Sequence, residues 1–166
     1  MPHIEMVPLE SVAEEVLLTL MNEPQVRAFM PLLPVPFTAE QCRAFVAAKQ
    51  ALWAKHGYGP FAFIIGGAFA GWGGLQDEDG DADFALVLSP KFWGWGRQIF
   101  MRVADHAFRE WEIPSITILF PPNRTNSGAL SRVGFIADGE STIGGEAFLK
   151  FRLTRETWLE HSKTRL

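Results

Sequence analysis

The stretch SPKFWGWGRQIF, Ser89 to Phe100, sets two glycines, Gly94 and Gly96, between an apolar run ending at Leu88 and the start of a helical pattern. Ser or Asp caps a helix start better, and glycine weakens it, so a bare backbone at this point suggests a partner outside the local chain. A strand, a turn with two glycines and a helix start together form a concavity of backbone N–H groups at the positive end of a helix dipole. Such a nest suits the oxygens of a pyrophosphate, which side chains at the two glycine positions would obstruct. The plainer alternative is a tight strand-to-helix turn. Two familiar phosphate motifs do not fit: a dinucleotide-binding G-x-G-x-x-G needs glycine where Ile99 stands, and a Walker A loop needs a G-K-[ST] ending that is absent.

Other chemistry is scarcer. His3, His56, His106 and His161 show no metal-ligand spacing, and Cys42 is the sole cysteine, so neither a metal site nor a disulfide framework is expected. A single cysteine fits a reducing compartment. Fifteen Lys and Arg against 19 Asp and Glu, a formal net charge of −4, argue against a nucleic-acid partner and mildly favour a cationic one. No apolar run reaches the ~18 residues of a membrane span, and MPHIEMVPLE has neither a basic region nor an apolar signal core. A cytoplasmic protein without a membrane partner is the expectation. With 48% hydrophobic and 20% charged residues, 14 Phe and 6 Trp, the chain is not disordered and has the means for a large core or an aromatic-lined pocket. Its 166 residues predict one domain, 1–166, as monomer or homodimer.

These groups need elements to hold them. IEMVPL reads as a first strand, and Ser11 with Glu14, then Thr38 with Gln41, read as capping boxes opening two helices. The second carries Cys42, Phe45, Val46, Leu52 and Trp53 to a stop at Gly57, and the prolines of FMPLLPVPF enforce an extended apolar loop between the two helices. FAFII, GWGGLQ and ADFALVLS read as consecutive strands, with DEDGDAD as the polar turn between the last two. A helix from Gly94 to Trp111, a strand SITILF after Pro114, a short helix Asn126–Val133 stopped by Gly134, and two final strands complete the order. That order, β-α-α-β-β-β-α-β-α-β-β, predicts a mixed α/β sheet with helices on both faces.

KFWGWG, Lys91 to Gly96, resembles the Q/R-x-x-G-x-G/A acetyl-coenzyme A signature of the GNAT-fold N-acetyltransferases, with Lys91 at the Gln or Arg position. NRTNSGALSRVGF, Asn123 to Phe135, resembles the N-x-x-S-x-x-V-x-x-x-x-G-F segment of the Rim-type branch, which acetylates ribosomal-protein N termini. Asn123, Gly134 and Phe135 fit it, while Asn126 replaces its Ser and Ala129 its Val. The element order agrees over about Ile4 to Leu153.

The resemblance implies a mostly antiparallel α+β sheet whose fourth and fifth strands splay around the pantetheine arm of acetyl-CoA. Val87 and Leu88 would then supply main-chain groups to the arm, and an N–H near Leu88 would face the thioester oxygen. Lys91, Gly94, Trp95, Gly96, Arg97 and Gln98 would meet the phosphates and nucleotide, with Asn123 and Asn126 further along the same ligand. The acceptor would be a primary amine, of a peptide N terminus or a small molecule, beside Met30, Leu32, Leu33 and Tyr58. Asp83, where the family often carries an acidic residue, is the first candidate for the base, ahead of Glu40 and Glu112. Leu130 stands at the usual Tyr position, so Ser127 or solvent is left to protonate the thiolate. These departures keep open a second reading, an acyl-CoA-binding sensor or interaction domain with little or no catalysis.

Overall fold

Short runs of β-branched and aromatic residues become strands wherever Asp, Asn or Gly turns the chain back, and the apolar stripes between them become helices. The computed structural model describes residues 3–30, 33–122 and 127–164. Its strands are β1 (Ile4–Pro8), β2 (Pro60–Ile65), β3 (Ala68–Glu78), β4 (Asp81–Leu88), β5 (Ser115–Phe120), β6 (Ile136–Ile143) and β7 (Glu146–Thr154). They hydrogen-bond in the order β1-β2-β3-β4-β5-β7-β6. β4 and β5 run parallel, whereas β1–β2, β2–β3, β5–β7 and β6–β7 are antiparallel, so the sheet is mixed and mostly antiparallel as expected. The helices are α1 (Glu14–Asn22), α2 (Pro24–Arg27), α3 (Ala39–His56), α4 (Gly96–Arg109), α5 (Ser127–Val133) and α6 (Arg155–Thr164). The chain forms two compact units, residues up to Gln76 with Ala85–Met101, and Asp77–Phe84 with the residues from Arg102 onward.

In the first unit, Leu17, Leu20 and Met21 of α1, Cys42 of α3, Ala62 of β2 and Trp72 of β3 bury one apolar cluster. Thr38 caps α3 through the expected box: its hydroxyl accepts from the Gln41 amide at 3.2 Å, and the Gln41 side chain accepts from the Thr38 amide at 2.9 Å. Gly57, with φ 76°, ends the helix in the left-handed conformation. The proline-rich loop before α3 has no ladder to satisfy its backbone, and two side chains stand in for one. Asn22 bonds both main-chain groups of Phe37, each at 2.9 Å, and the Arg27 guanidinium donates to the carbonyls of Met21, Leu33 and Pro34.

Also in this unit, β3 and β4 lie so close that a Cβ on Gly71 would stand 2.1 Å from the Val87 carbonyl oxygen, and one on Gly73 2.4 Å from that of Ala85. Glycine is the residue type that fits there.

In the second unit, Ile116 and Ile118 of β5, Leu153 of β7, Val103, Ala104, Ala107 and Phe108 of α4 and Trp158 of α6 are buried. Arg155 ties the start of α6 to both neighbours, its amide donating to the Pro114 carbonyl at 2.9 Å and its Nε–H to that of Phe108 at 2.8 Å. Ion pairs strap the strands: Asp81 accepts from Lys150 at 2.8 Å and Arg152 at 3.1 Å, and Arg152 reaches Asp138 at 2.8 Å and Ser115 at 2.7 Å.

Four expectations need correction. Ser11 and Glu14 form no capping box; Ser11 ends a 3-10 turn, Leu9–Ser11, where its hydroxyl donates to the Pro8 carbonyl at 2.6 Å, and α1 starts behind Ala13. DEDGDAD is no seven-residue turn, since β3 runs to Glu78 and β4 resumes at Asp81. Asp79 (φ 52°) and Gly80 (φ 89°) alone make the bend, both in the positive-φ conformation that a two-residue hairpin demands. The helix expected from Gly94 opens with a 3-10 turn, Pro90–Trp95, and is α-helical from Gly96. Finally, α2 and α6 add to the expected order, the first opened by Pro24 behind the Glu23 cap.

Gly71→Ala should lower the unfolding free energy by about 2–4 kcal/mol, through strain and overpacking against immovable backbone. Gly80→Ala, with a positive φ but open space around its Cβ, should cost about 1–2 kcal/mol. Urea titration of the two variants measures the difference.

Candidate active site

β4 ends at Leu88, and the 3-10 turn Pro90–Trp95 leads the chain into α4. The Ser89 amide donates to the Ala70 carbonyl at 2.8 Å, the Phe92 amide to the Ser89 carbonyl at 2.8 Å, and the Trp93 indole N–H to the Leu88 carbonyl at 2.9 Å. Three hydrogen bonds therefore fix the path of the turn. Trp93 is 46% exposed and meets the edge of the still more exposed Phe29 with ring centroids 6.0 Å apart.

Gly94 and Gly96 do not share the steric reason that holds Gly71 and Gly73. Gly96 is ordinary right-handed helix, φ −55° and ψ −42°, and its Cβ would meet only Leu86 Cδ2 at 3.7 Å. Gly94 is not left-handed either, and its Cβ would find nothing within 4 Å. At the Gly96 position alanine would favour the helix by ~1 kcal/mol, so the missing side chain serves nothing inside this unit. What it does is leave the main chain at the N-terminus of the 14-residue α4 open to approach. Lys91, Arg97 and Gln98 stand exposed around this opening, and Trp95 is half-buried beside it. A main chain unobstructed by side chains at Gly94 and Gly96, a helix dipole and two cations suit a diphosphate.

Asp83 lies on the part of β4 that belongs to the second unit, directly opposite Thr117 of β5 in the parallel ladder, which pairs Ala82–Phe84 with Ile116–Ile118. The Thr117 hydroxyl donates to Asp83 Oδ1 at 2.7 Å. Burial pushes the Asp83 carboxyl up to about 7, against the pull of the Thr117 hydrogen bond and Lys150, with Glu78 and Asp81 adding to the rise. Two residues earlier, burial also pushes Asp81 upward, but the hydrogen bonds of Arg152 and Lys150 outweigh it and hold that carboxyl below its ordinary value. Asp81 is thus a fixed anion, while Asp83 exchanges a proton near neutral pH.

Of the other expected residues, Val87, Met30 and Leu33 all pack against the apolar cluster of the first unit. Leu88 is buried and its carbonyl already accepts the Trp93 indole. Tyr58, half-buried before β2, faces His56 with ring centroids 5.9 Å apart. Ser127 opens α5 in the second unit, and Leu32, Asn123 and Asn126 lie outside the described residues. Thr117 escaped the sequence reading because one Thr in SITILF looks like any strand-forming residue. Among the described residues, no group of three or more His, Cys, Asp or Glu is placed to hold a metal, and no helix is long and apolar enough to cross a membrane.

Residues 3–136 match the family described as "Acetyltransferase (GNAT) domain". The chain belongs to the GNAT acetyltransferase family. The GNAT fold is also seen in solved structures of low sequence identity. An acetyltransferase from Agrobacterium tumefaciens is similar at 18% identity and TM-score 0.69, covering 90% of each chain. A Bacillus anthracis acetyltransferase of the GNAT family is similar at 17% identity and TM-score 0.69, over 92% of this chain and 94% of that one. A Vibrio cholerae protein with a proposed ribosomal-protein-serine acetyltransferase activity is similar at 15% identity and TM-score 0.67, over 91% and 93%. In this acetyltransferase, then, the glycine-opened helix start and the neutral-range carboxyl are the two features whose chemistry needs explaining.

A carboxyl raised from 3.8 to about 7 in the folded state favours folding while protonated, an advantage complete below its unfolded value and lost as pH rises through about 7. Asp83→Asn cannot ionise and escapes that loss. Unfolding free energies measured from pH 4 to 8 should therefore shift progressively in favour of the variant, with most of the change complete just above pH 7.

Proposed function

We propose that this GNAT protein transfers the acetyl group of acetyl-CoA to a primary amine by direct attack, with residues 1–166 acting as one catalytic domain. The observation that carries the reading is the pair Gly94 and Gly96, whose absent side chains answer to no clash within the unit and suit the diphosphate of coenzyme A. Lys91, Arg97 and Gln98 are the side chains for the phosphates, Trp95 borders the nucleotide, and Asn123 and Asn126 are assigned to the same ligand by the family motif. Val87 and Leu88, beyond the last β4 residue paired with β5, offer main-chain groups to the pantetheine arm.

Asp83 is the base. It takes a proton from the ammonium of the acceptor, and the neutral nitrogen attacks the thioester carbon. A C–N bond forms, and an N–H near Leu88 stabilises the oxyanion. The C–S bond then breaks as the nitrogen gives its second proton, through solvent or Ser127, to the leaving thiolate, and Asp83 returns its own proton to water.

The acceptor favoured by this chemistry is an α-amine. Its pKa of ~7.7–8.0 lies within about one unit of Asp83, whereas a lysine amine at ~10.4 lies more than three above it. A peptide N terminus is therefore preferred, with a small-molecule amine of similar basicity as the other possibility; the likeness to the Vibrio cholerae protein is in keeping with the first. Met30, Leu32, Leu33 and Tyr58 are assigned to its binding.

Calorimetry with CoA and turnover on a panel of peptide α-amines and lysine ε-amines test the reading together. Gly94→Ala/Gly96→Ala should keep or gain up to ~1 kcal/mol of stability per site while losing tenfold or more in CoA affinity. Asp83→Asn should bind CoA normally and lose about 10²–10⁴-fold in kcat/KM near pH 7. CoA binding without turnover on any amine would favour the sensor reading instead, and no CoA binding at all would overturn both.

A further inference from the structure

We propose that Thr117 is a positioning residue for Asp83: its buried hydroxyl holds Oδ1 of the carboxylate and leaves Oδ2 as the oxygen that accepts a proton. The inference rests on the reading of Asp83 as the base, and its geometry stands within one unit of the fold. Thr117 is 1% exposed. A buried hydroxyl costs free energy unless it is bonded. Valine has the same shape and suits a strand at least as well, so packing alone gives no reason for the oxygen. Its partner is Asp83 Oδ1, at 2.7 Å.

The register explains why a threonine can do this. Asp83, Thr117 and Arg152 are successive partners across β4, β5 and β7 and so share one face of the sheet. Arg152 is committed to Asp81, Asp138 and Ser115, and Lys150 to Asp81. Neither cation is bonded to Asp83. The charged groups acting on it are Glu78 of β3 and Asp81 of β4, which disfavour its ionised form, and Lys150 of β7, which favours it. Thr117 contributes no charge, only a directed donor from the floor of the ladder, and so fixes the plane of the carboxylate.

The test uses the full chain, with the Asp83 carboxyl followed by 13C NMR without substrate and kcat/KM followed against pH. Thr117→Val removes the donor to the ionised form and should raise both the Asp83 midpoint and the acidic limb of the profile by about one unit. Thr117→Ser should restore both, which a role in packing alone would not explain. If the valine variant does not fold, Thr117→Cys, with a weaker donor of similar size, should move both in the same direction. An Asp83 midpoint that stays in place without the donor overturns the inference. A midpoint that moves while the acidic limb does not supports the hold of Thr117 on the carboxylate and removes Asp83 from the role of base, so the two readings fail separately.

Discussion

The closeness of β3 and β4 is the constraint on which the rest depends. At Gly71 and Gly73 the carbonyls of the facing strand occupy the space where side chains would stand. Each glycine surrenders more conformational freedom on folding than any other residue would, and the return is that β4 is held by a neighbour with no side chains to splay it away. That strand, eight residues long, carries the ion-paired Asp81, the neutral-range Asp83 and the main chain of Val87 and Leu88, and a 3-10 turn joins it to the glycine-opened start of α4. Within the first unit, a shift of the strand would move Val87, Leu88 and that helix start together.

Along that strand, Asp81 and Asp83 show how environment divides two identical groups. Both feel burial, yet Asp81 captures two cations and Asp83 receives a single neutral donor. Had Lys150 or Arg152 reached Asp83 instead, its carboxyl would be a permanent anion with little affinity for a proton at pH 7. The capture of both cations by Asp81 is therefore part of what keeps its neighbour responsive.

Features with a local cause were legible in the sequence. Thr38 with Gln41, Gly57, the strand SITILF and the mixed sheet follow from capping chemistry, left-handed termination, β-branching and element order, and the structure agrees with each, while the mostly antiparallel pairing was implied by the family resemblance. Where two local options competed, the sequence was ambiguous. Ser11 had a carbonyl within reach as well as a helix to cap, and the acidic run DEDGDAD looked like a loop although five of its seven residues pair as strand. The short, polar α6 announced itself only through Trp158. Of the site, Gly94 and Gly96 stood out because glycine is costly where it was found, but that no clash within the unit requires either one appears only in three dimensions. Thr117 was invisible because its partner lies 34 residues away in the chain.

Arg27 and Asn22 have a consequence of another kind. Between them they grip the carbonyls of Leu33, Pro34 and Phe37 and the amide of Phe37, so the course of the proline-rich loop is dictated from the preceding helices and by main-chain atoms. Phe37 and Leu33 add packing against the apolar cluster, whereas Val35 stands 84% exposed and has no such duty. Residues such as Val35 are consequently free to diverge between homologues without unmooring the segment, and selection can tailor the chemistry it presents while its trajectory stays inherited.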